Sequence, residues 1–210
     1  MNLAQVRGGY DAIYSLGSSC LPAIKLQSRN LRPCSGPLDW MTSKSLPDVN
    51  RLLEAKFKDF LSLKHITVTG DLSYQKAHYI VQDTFYQVSS VHDFDVYQNT
   101  LTELKQYPEV MSKLNRRIKR MLDDMSSGKR ILFIRTEENG NYPIEETLHI
   151  LDKQVAGSYV FLYIRQADVF DIMDCHHKHP SLCVVLVPRD PVWYLEATWD
   201  KILNFIYVND

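Results

Sequence analysis

Four short runs of β-forming residues, with helical patterns between them, restrict the fold of this chain more than any other feature. They cover residues 12–16, 131–134, 159–164 and 183–187, and three of them are almost continuously apolar. Strands that are buried on both faces of a sheet have this composition. The alternation of strands and helices favours an α/β fold, with a layered, mostly parallel sheet flanked by helices.

Apolar residues spaced three and four apart predict the helices. The pattern over 97–125 predicts two helices that Pro108 separates, the second of them closed by Gly128. Residues 143–155 and 191–207 predict one helix each.

Residues 65–94 mix β-branched and aromatic side chains with breaks, which predicts a hairpin or an inserted β segment. No repeat or linker divides the chain, so we expect one α/β domain over 1–210.

Composition excludes several classes of function. With 24 basic and 25 acidic residues, the net charge of −1 provides no field that would recruit nucleic acid or an anionic membrane. No apolar window is long enough to span a bilayer, and the first residues lack the order of a signal peptide, so we expect a cytoplasmic protein. The four cysteines are expected to be free thiols. Glycine-rich phosphate loops are absent, and no cofactor is expected. The sequence leaves the oligomeric state open.

The stretch "SLGSSC" proposes a site. If residues 12–16 form a strand and Gly17 makes the turn, Ser18 or Ser19 can cap a helix whose first turn contains Cys20. Free N–H groups and the helix dipole would then stabilise a thiolate and could hold a developing oxyanion. A small buried cysteine behind an ordinary capped helix is the alternative interpretation.

A cysteine nucleophile needs a base, for which His92 is the candidate because it follows a β-like run and lies among polar residues. In a regular strand Asp93 and Asp95 would point away from it, and they could instead cap a helix that begins near Val96. Asp39, in "SGPLDWM", is therefore the candidate acid to orient His92.

In order along the chain, "SLGSSC", "SGPLDWM", "HDF", "ILFIR" and "ATWDKIL" resemble a bacterial domain-of-unknown-function family described as papain-like cysteine peptidases. The resemblance covers residues 10–204. It implies that Cys20 and His92 are the catalytic pair and that a papain-like α+β fold is the alternative to a parallel α/β sheet. Three further positions of the resemblance are Asp39, Trp40 and Arg135.

These observations predict a cysteine-dependent hydrolase or acyltransferase that forms an acyl-enzyme on Cys20 from a small-molecule or peptide acyl substrate. The expected substrate-binding residues are Ser18, Ser19, Trp40, Asp93 and Arg135. As the last residue of a buried strand, Arg135 could clamp an anionic group, or it could form a buried ion pair with Glu137 or Glu138.

Two alternatives remain open. In an esterase or acyltransferase of the SGNH type, Ser18 or Ser19 would attack, and "DCHH" would supply Asp174 and His177. In a non-catalytic binding module, Trp40 would line a ligand crevice together with Arg135. The stretch "CHHKHPSLC" is dense in metal-ligand residue types, but its spacing matches no standard zinc site, so we expect a polar loop without a metal.

Overall fold

The computed structural model describes residues 1–72, 77–138 and 142–209 and has a mixed α/β fold. The strands are β1 (Gly8–Tyr10), β2 (Ala12–Ser15), β3 (Met41–Ser43), β4 (Ile66–Leu72), β5 (His78–Asp83), β6 (Val88–Asp95), β7 (Arg130–Glu137), β8 (Ser158–Ala167), β9 (Met173–Cys175), β10 (Leu182–Pro188) and β11 (Ile206–Val208). The helices are α1 (Leu3–Val6), α2 (Leu21–Gln27), α3 (Leu46–Glu54), α4 (Tyr107–Ser126), α5 (Glu145–Gln154) and α6 (Glu196–Leu203), with a 3₁₀ helix at Val192–Tyr194. No helix in these ranges is long and apolar enough to cross a membrane.

The central sheet has the strand order β2-β7-β8-β10-β9. Its first four strands are parallel and contain the four predicted runs, whereas β9 pairs antiparallel with β10. These strands are apolar on both faces because each face is covered. In β7, Ile131 and Phe133 belong to one core, and Leu132 and Ile134 belong to the other.

A second sheet, with the order β3-β6-β5-β4, is antiparallel throughout. The expectation of a mostly parallel architecture therefore applies to the central sheet alone. The expected β segment over 65–94 contains β4 and β5 and most of β6. The two sheets meet near the end of β2, where the Ser43 N–H of β3 donates to the carbonyl of Ser18 at 3.1 Å.

Strand β6 carries a bulge next to the predicted histidine. Tyr79 of β5 lies opposite Phe94, and Val81 lies opposite Ser90, so β6 uses two more residues than β5 over this interval. A bulge disrupts the alternation of side chains between the two faces. As a result, the Ser90 hydroxyl reaches the Asp93 carboxylate at 2.6 Å, although a regular strand would point these two side chains to opposite faces.

The helix expected before Pro108 does not form, and no helix begins near Val96. Residues 97–106 are turns, and Pro108 lies in the first turn of α4. Polar side chains bond locally to the main chain here, which competes with helix formation: the Asp95 carboxylate accepts the N–H of Tyr97 at 2.6 Å. Gly128 has φ +77° just after α4, in the left-handed conformation that was predicted.

The helix predicted over 191–207 is also shorter than expected. The chain is extended at Leu195 before α6 and at Asn204 after it, and β11 then pairs with β1. Ion pairs bind α6 to α2 and to the residues directly after it: the buried Lys25 of α2 pairs with Glu196, and Arg29, after the end of α2, contacts Glu196 at 2.9 Å and Asp200 at 2.6 Å. These ion pairs hold α2, the helix that follows Cys20, against α6 and thereby against one of the two cores that cover the central sheet.

Candidate active site

Cys20 lies at the end of a tight turn that follows β2. Gly17 and Ser18 both have positive φ, +77° and +64°, and α2 begins at Leu21. A side chain at position 17 would meet Ser43 Oγ at 3.0 Å, so glycine is required by both conformation and space. Cys20 itself has helical backbone angles and is half-buried.

The two serines before Cys20 are held by hydrogen bonds. The Ser18 N–H donates to Ser43 Oγ at 3.1 Å, and the Ser18 hydroxyl shares a bond of 3.0 Å with Thr136. Ser19 Oγ accepts the N–H of Leu21 at 3.3 Å, but the N-cap position of α2 is occupied by Cys20 and not by a serine, contrary to the prediction. The described residues offer no acceptor to the main-chain N–H groups of Ser19 and Cys20, which remain available for a ligand.

Two carboxylates lie near the Cys20 sulfur. Asp39 is 1% exposed; its Oδ2 accepts the Gly36 N–H at 2.8 Å and an Arg32 N–H at 2.7 Å, while its buried Oδ1 has no partner among the described residues. Asp93, held by Ser90, is the second. Both act electrostatically on the thiol.

Burial, and to a smaller extent the negative charges of Asp39 and Asp93, together raise the pKa of the Cys20 thiol to about 11. The thiol is therefore protonated at neutral pH, and the expected stabilised thiolate is wrong for this structure. Helix α2 has only seven residues, and Pro22 in its first turn has no N–H to offer, so the favourable effect of the helix terminus is small.

His92 lies on the exposed side of the β6 bulge. Its ring contacts the Trp40 ring edge-on, with centroids 5.7 Å apart, and the His78 ring at 5.8 Å. Burial and His78 lower the pKa of His92, so the imidazole is neutral at pH 7 and can accept a proton. The Arg32 guanidinium lies over the Trp40 ring, 5.2 Å from the ring centroid.

The predicted catalytic residues Cys20 and His92 share an electrostatic neighbour in the described part of the chain. Among the described residues, no hydrogen bond joins His92 to Cys20 or to Asp39. Asp93 is this shared neighbour, because it influences the pKa of both Cys20 and His92. Asp39 acts electrostatically on Cys20 and is bonded to Arg32 and Gly36, so its expected role of orienting His92 stays a prediction.

Arg135 is completely buried and binds within the protein. Its five N–H groups donate to Leu16 O, to the Ser43 hydroxyl and carbonyl, and twice to Glu137 Oε2, over distances of 2.9–3.2 Å. An arginine has five N–H donors, so none is left for a substrate. Of the two predicted roles, the geometry supports the buried ion pair and gives Arg135 no direct substrate contact.

An open cleft of about 510 Å³ adjoins the turn before Cys20. It is lined by Ser18, Ser19, Thr42, Ser43, Lys44, Glu137, Glu138 and Tyr142. Sequence reasoning missed Thr42, Ser43, Lys44 and Tyr142. The polar stretch "TSK" directly after "SGPLDWM" was the feature that could have indicated the first three.

The residues of the serine-esterase alternative are far apart. In the central sheet, β9 lies four strand positions from β2, which corresponds to about 19 Å. Asp174 on β9 accepts the N–H of Leu3, and the His177 ring accepts the N–H of His179. Ser18 and Ser19 therefore have no Asp174–His177 pair beside them. No three His, Cys, Asp or Glu side chains in the described ranges are grouped to hold a metal ion.

A family model described as "Putative papain-like cysteine peptidase (DUF1796)" matches residues 11–157. The chain belongs to this family. Cys20, Asp39 and His92 all lie within the matched segment, and the family's description is that of a cysteine hydrolase.

One relative of the chain is a viral protein, so this comparison does not support the bacterial origin that the resemblance implied. "Uncharacterized protein R408" of Acanthamoeba polyphaga mimivirus is 26% identical over 167 residues, which cover 71% of this chain and 74% of the relative. No solved structure matches the chain.

Proposed function

We propose that the chain is a cysteine-dependent hydrolase or acyltransferase and that Cys20 is its nucleophile. The observation that carries this proposal is the surroundings of Cys20: a half-buried thiol, two main-chain N–H groups that have no acceptor among the described residues, and an open cleft lined by the two preceding serines. The membership of a family described as cysteine peptidases supports the same chemistry.

In the proposed reaction, the Cys20 sulfur attacks the carbonyl carbon of an acyl substrate while His92 takes the thiol proton. The N–H groups of Ser19 and Cys20 donate to the oxyanion of the tetrahedral intermediate. When the intermediate collapses, the bond to the leaving amine or alcohol breaks, and His92 returns the proton to that group. Water, or another acceptor nucleophile, then cleaves the thioester and frees Cys20.

The proposal includes a movement of His92. Its ring contacts the Trp40 and His78 rings, and among the described residues no hydrogen bond joins it to the Cys20 sulfur, so it would rotate toward Cys20 when substrate binds. Catalytic hydrogen bonds often tighten only in the complex with substrate. The carboxylates of Asp93 and Asp39 would then stabilise the imidazolium that forms. The negative charges that keep the free thiol protonated would therefore favour the charged form of His92 during the reaction.

Acylation mapping tests this function. The protein is treated with p-nitrophenyl acetate and with a p-nitrophenyl peptide ester, and mass spectrometry locates the acyl group. We expect it on Cys20, with a rate at least about 100-fold lower in His92→Ala because the general base is lost. His149→Ala, which removes an exposed histidine of α5, is the matched control and should behave as the wild type.

Acyl groups on Ser18 or Cys34 would contradict the assignment of the nucleophile. Equal rates in His92→Ala and His149→Ala would contradict the assignment of the base.

A non-catalytic binding module is the second candidate, and the raised pKa of the Cys20 thiol favours it. In that case the cleft would bind a ligand without covalent chemistry. The protein would then show no acylation at Cys20, and its ligand affinity would be unchanged in Cys20→Ser. After treatment with the p-nitrophenyl esters, the enzyme should therefore gain the mass of an acyl group on Cys20, and the binding module should not.

A further inference from the structure

The cleft beside the Cys20 turn contains a carboxylate oxygen without a partner. The Glu137 side chain is 4% exposed, and its Oε2 accepts two N–H groups of Arg135 at 3.1 and 3.2 Å. Its Oε1 has no hydrogen bond within the described part of the chain, and Glu137 lines the cleft. A carboxylate oxygen in this situation calls for a donor from a ligand or solvent.

A second buried polar group lies behind the same region. The Tyr163 side chain is 1% exposed, and its hydroxyl has no partner among the described residues. Its electrostatic neighbours include Glu137 and Tyr142, both of which line the cleft. Glu137, which lines the cleft, and its electrostatic neighbour Tyr163 are thus two nearly buried side chains with unused hydrogen-bonding capacity.

The remaining lining groups favour a ligand that donates. Glu138 adds a second acceptor-only side chain, whereas the Tyr142 hydroxyl already donates to the carbonyl of Lys44 at 3.1 Å. Arg135 has no donor left for the cleft. Lys44 is the cation among the cleft's described lining residues, and it is exposed on a flexible side chain. A primary ammonium group supplies three donors and a positive charge on one atom, which matches the carboxylates better than a hydroxyl does.

We propose that this cleft binds the ammonium group of an amino-bearing acyl compound, with Glu137 Oε1 and Glu138 as its acceptors. The substrate class would be α-aminoacyl compounds and peptides with a free N-terminus. Because Ser18 and Ser19 line the cleft and lead directly into Cys20, the carbonyl next to the ammonium group would face the thiol. The part of this inference that concerns the reaction rests on the proposed function; the binding of the amine does not.

The test measures the binding of alaninamide and of N-acetylalaninamide by titration calorimetry, with the Cys20→Ser variant so that no covalent step can occur. Acetylation removes the positive charge and leaves the amide in place. We expect alaninamide to bind at least about 10-fold more tightly, as one charge-assisted hydrogen bond can provide. Equal affinities, or no binding of alaninamide at millimolar concentration, would overturn the proposal.

Charge-removing variants locate the acceptor. Glu138→Gln should reduce the preference for alaninamide, and so should Glu137→Gln, in which the amide oxygen can still accept from Arg135. Glu103→Gln removes the same charge from an exposed side chain outside the cleft and should keep the full preference. Since Glu137→Gln alters a buried ion pair, its folding is checked by circular dichroism, and Glu138→Gln gives the answer if it unfolds. A preference that survives in the folded variants would also overturn the proposal.

The outcome is separable from that of the proposed function. Preferential binding of alaninamide with no acylation of Cys20 would refute the enzyme and support the ammonium site. Acylation of Cys20 at equal rates by a free peptide ester and by its N-acetylated form would support the enzyme and refute the ammonium site.

Discussion

Replacing Asp93 with Asn should make Cys20 more reactive, because the carboxylate of Asp93 helps to keep the thiol protonated. The pKa of Cys20 is raised from 9.0 to about 11, so at pH 7 the thiolate fraction is about 100-fold lower than for an ordinary cysteine. Burial is the largest cause and persists in the variant. Asp93 is the smallest of the three contributions to this increase, so its removal should lower the pKa by well under one unit and speed alkylation at pH 7 about 2- to 5-fold.

The assay is the rate of Cys20 alkylation by iodoacetamide between pH 6 and pH 11, followed by mass spectrometry of the peptide that contains Cys20. Because the same site is compared between variants, differences in access largely cancel. Asp95→Asn is the matched control: it removes a carboxylate from the same strand, and Asp95 is not among the groups that raise the pKa of Cys20.

Two results would refute this reasoning. One is a wild-type rate midpoint at or below the ordinary cysteine value. The other is an Asp93→Asn variant that reacts no faster than Asp95→Asn. The first result would mean that Cys20 forms the stabilised thiolate expected from the sequence, and the second would mean that the Asp93 carboxylate does not raise the pKa of the thiol.

Two further predictions concern stability. Arg135→Met should lower the free energy of unfolding in urea by about 3–5 kcal/mol, because Glu137 would be left buried and unpaired. Arg189→Met, which removes an exposed ion pair, should change it by less than about 1 kcal/mol. Equal losses in the two variants would contradict the importance of the buried pair. Stability should also fall as pH rises above about 9. Burial raises the pKa of Cys183 from 9.0 to about 12, so the unfolded chain loses the thiol proton at lower pH than the folded chain does. The contribution of this thiol to the free energy of unfolding is therefore complete below pH 9 and is lost as pH passes 12. Urea unfolding between pH 8 and pH 12 checks this, and Cys183→Val should show a shallower decline.

The central sheet was predictable because the amino-acid composition of its strands reflects their burial on both faces. A run such as "ILFI" in β7 is apolar at every position, and only a strand covered on both faces needs that. The segment before α4 was not predictable in the same way. Leu101 and Leu104 fit a helical spacing, but Leu101 is exposed, and side-chain bonds from Asp95 and Thr100 to nearby N–H groups favour turns.

The candidate site was predictable up to the position of Cys20 and no further. The strand, the glycine turn and the helix start are local features that the order of residues specifies. The protonation state of the thiol depends first on burial and then on Asp39 and Asp93, which come from the segment before β3 and from the bulge of β6. Nothing local reveals a bulge, since it is defined by the partner strand β5. The fully bonded guanidinium of Arg135 likewise depends on Ser43, from a different sheet.

The pairing of β7 with β8 has a practical consequence for anyone who trims this chain. The segment shared with the family ends at residue 157, and β8 begins at Ser158. Eight consecutive residues of β7 take their partners from β8, and β2 borders the opposite side. A fragment cut at that boundary would present a long, apolar, unpaired strand edge to its neighbours in solution, which is how sheets recruit one another into aggregates. The smallest piece that keeps Cys20 on a closed scaffold therefore extends beyond the family's own border.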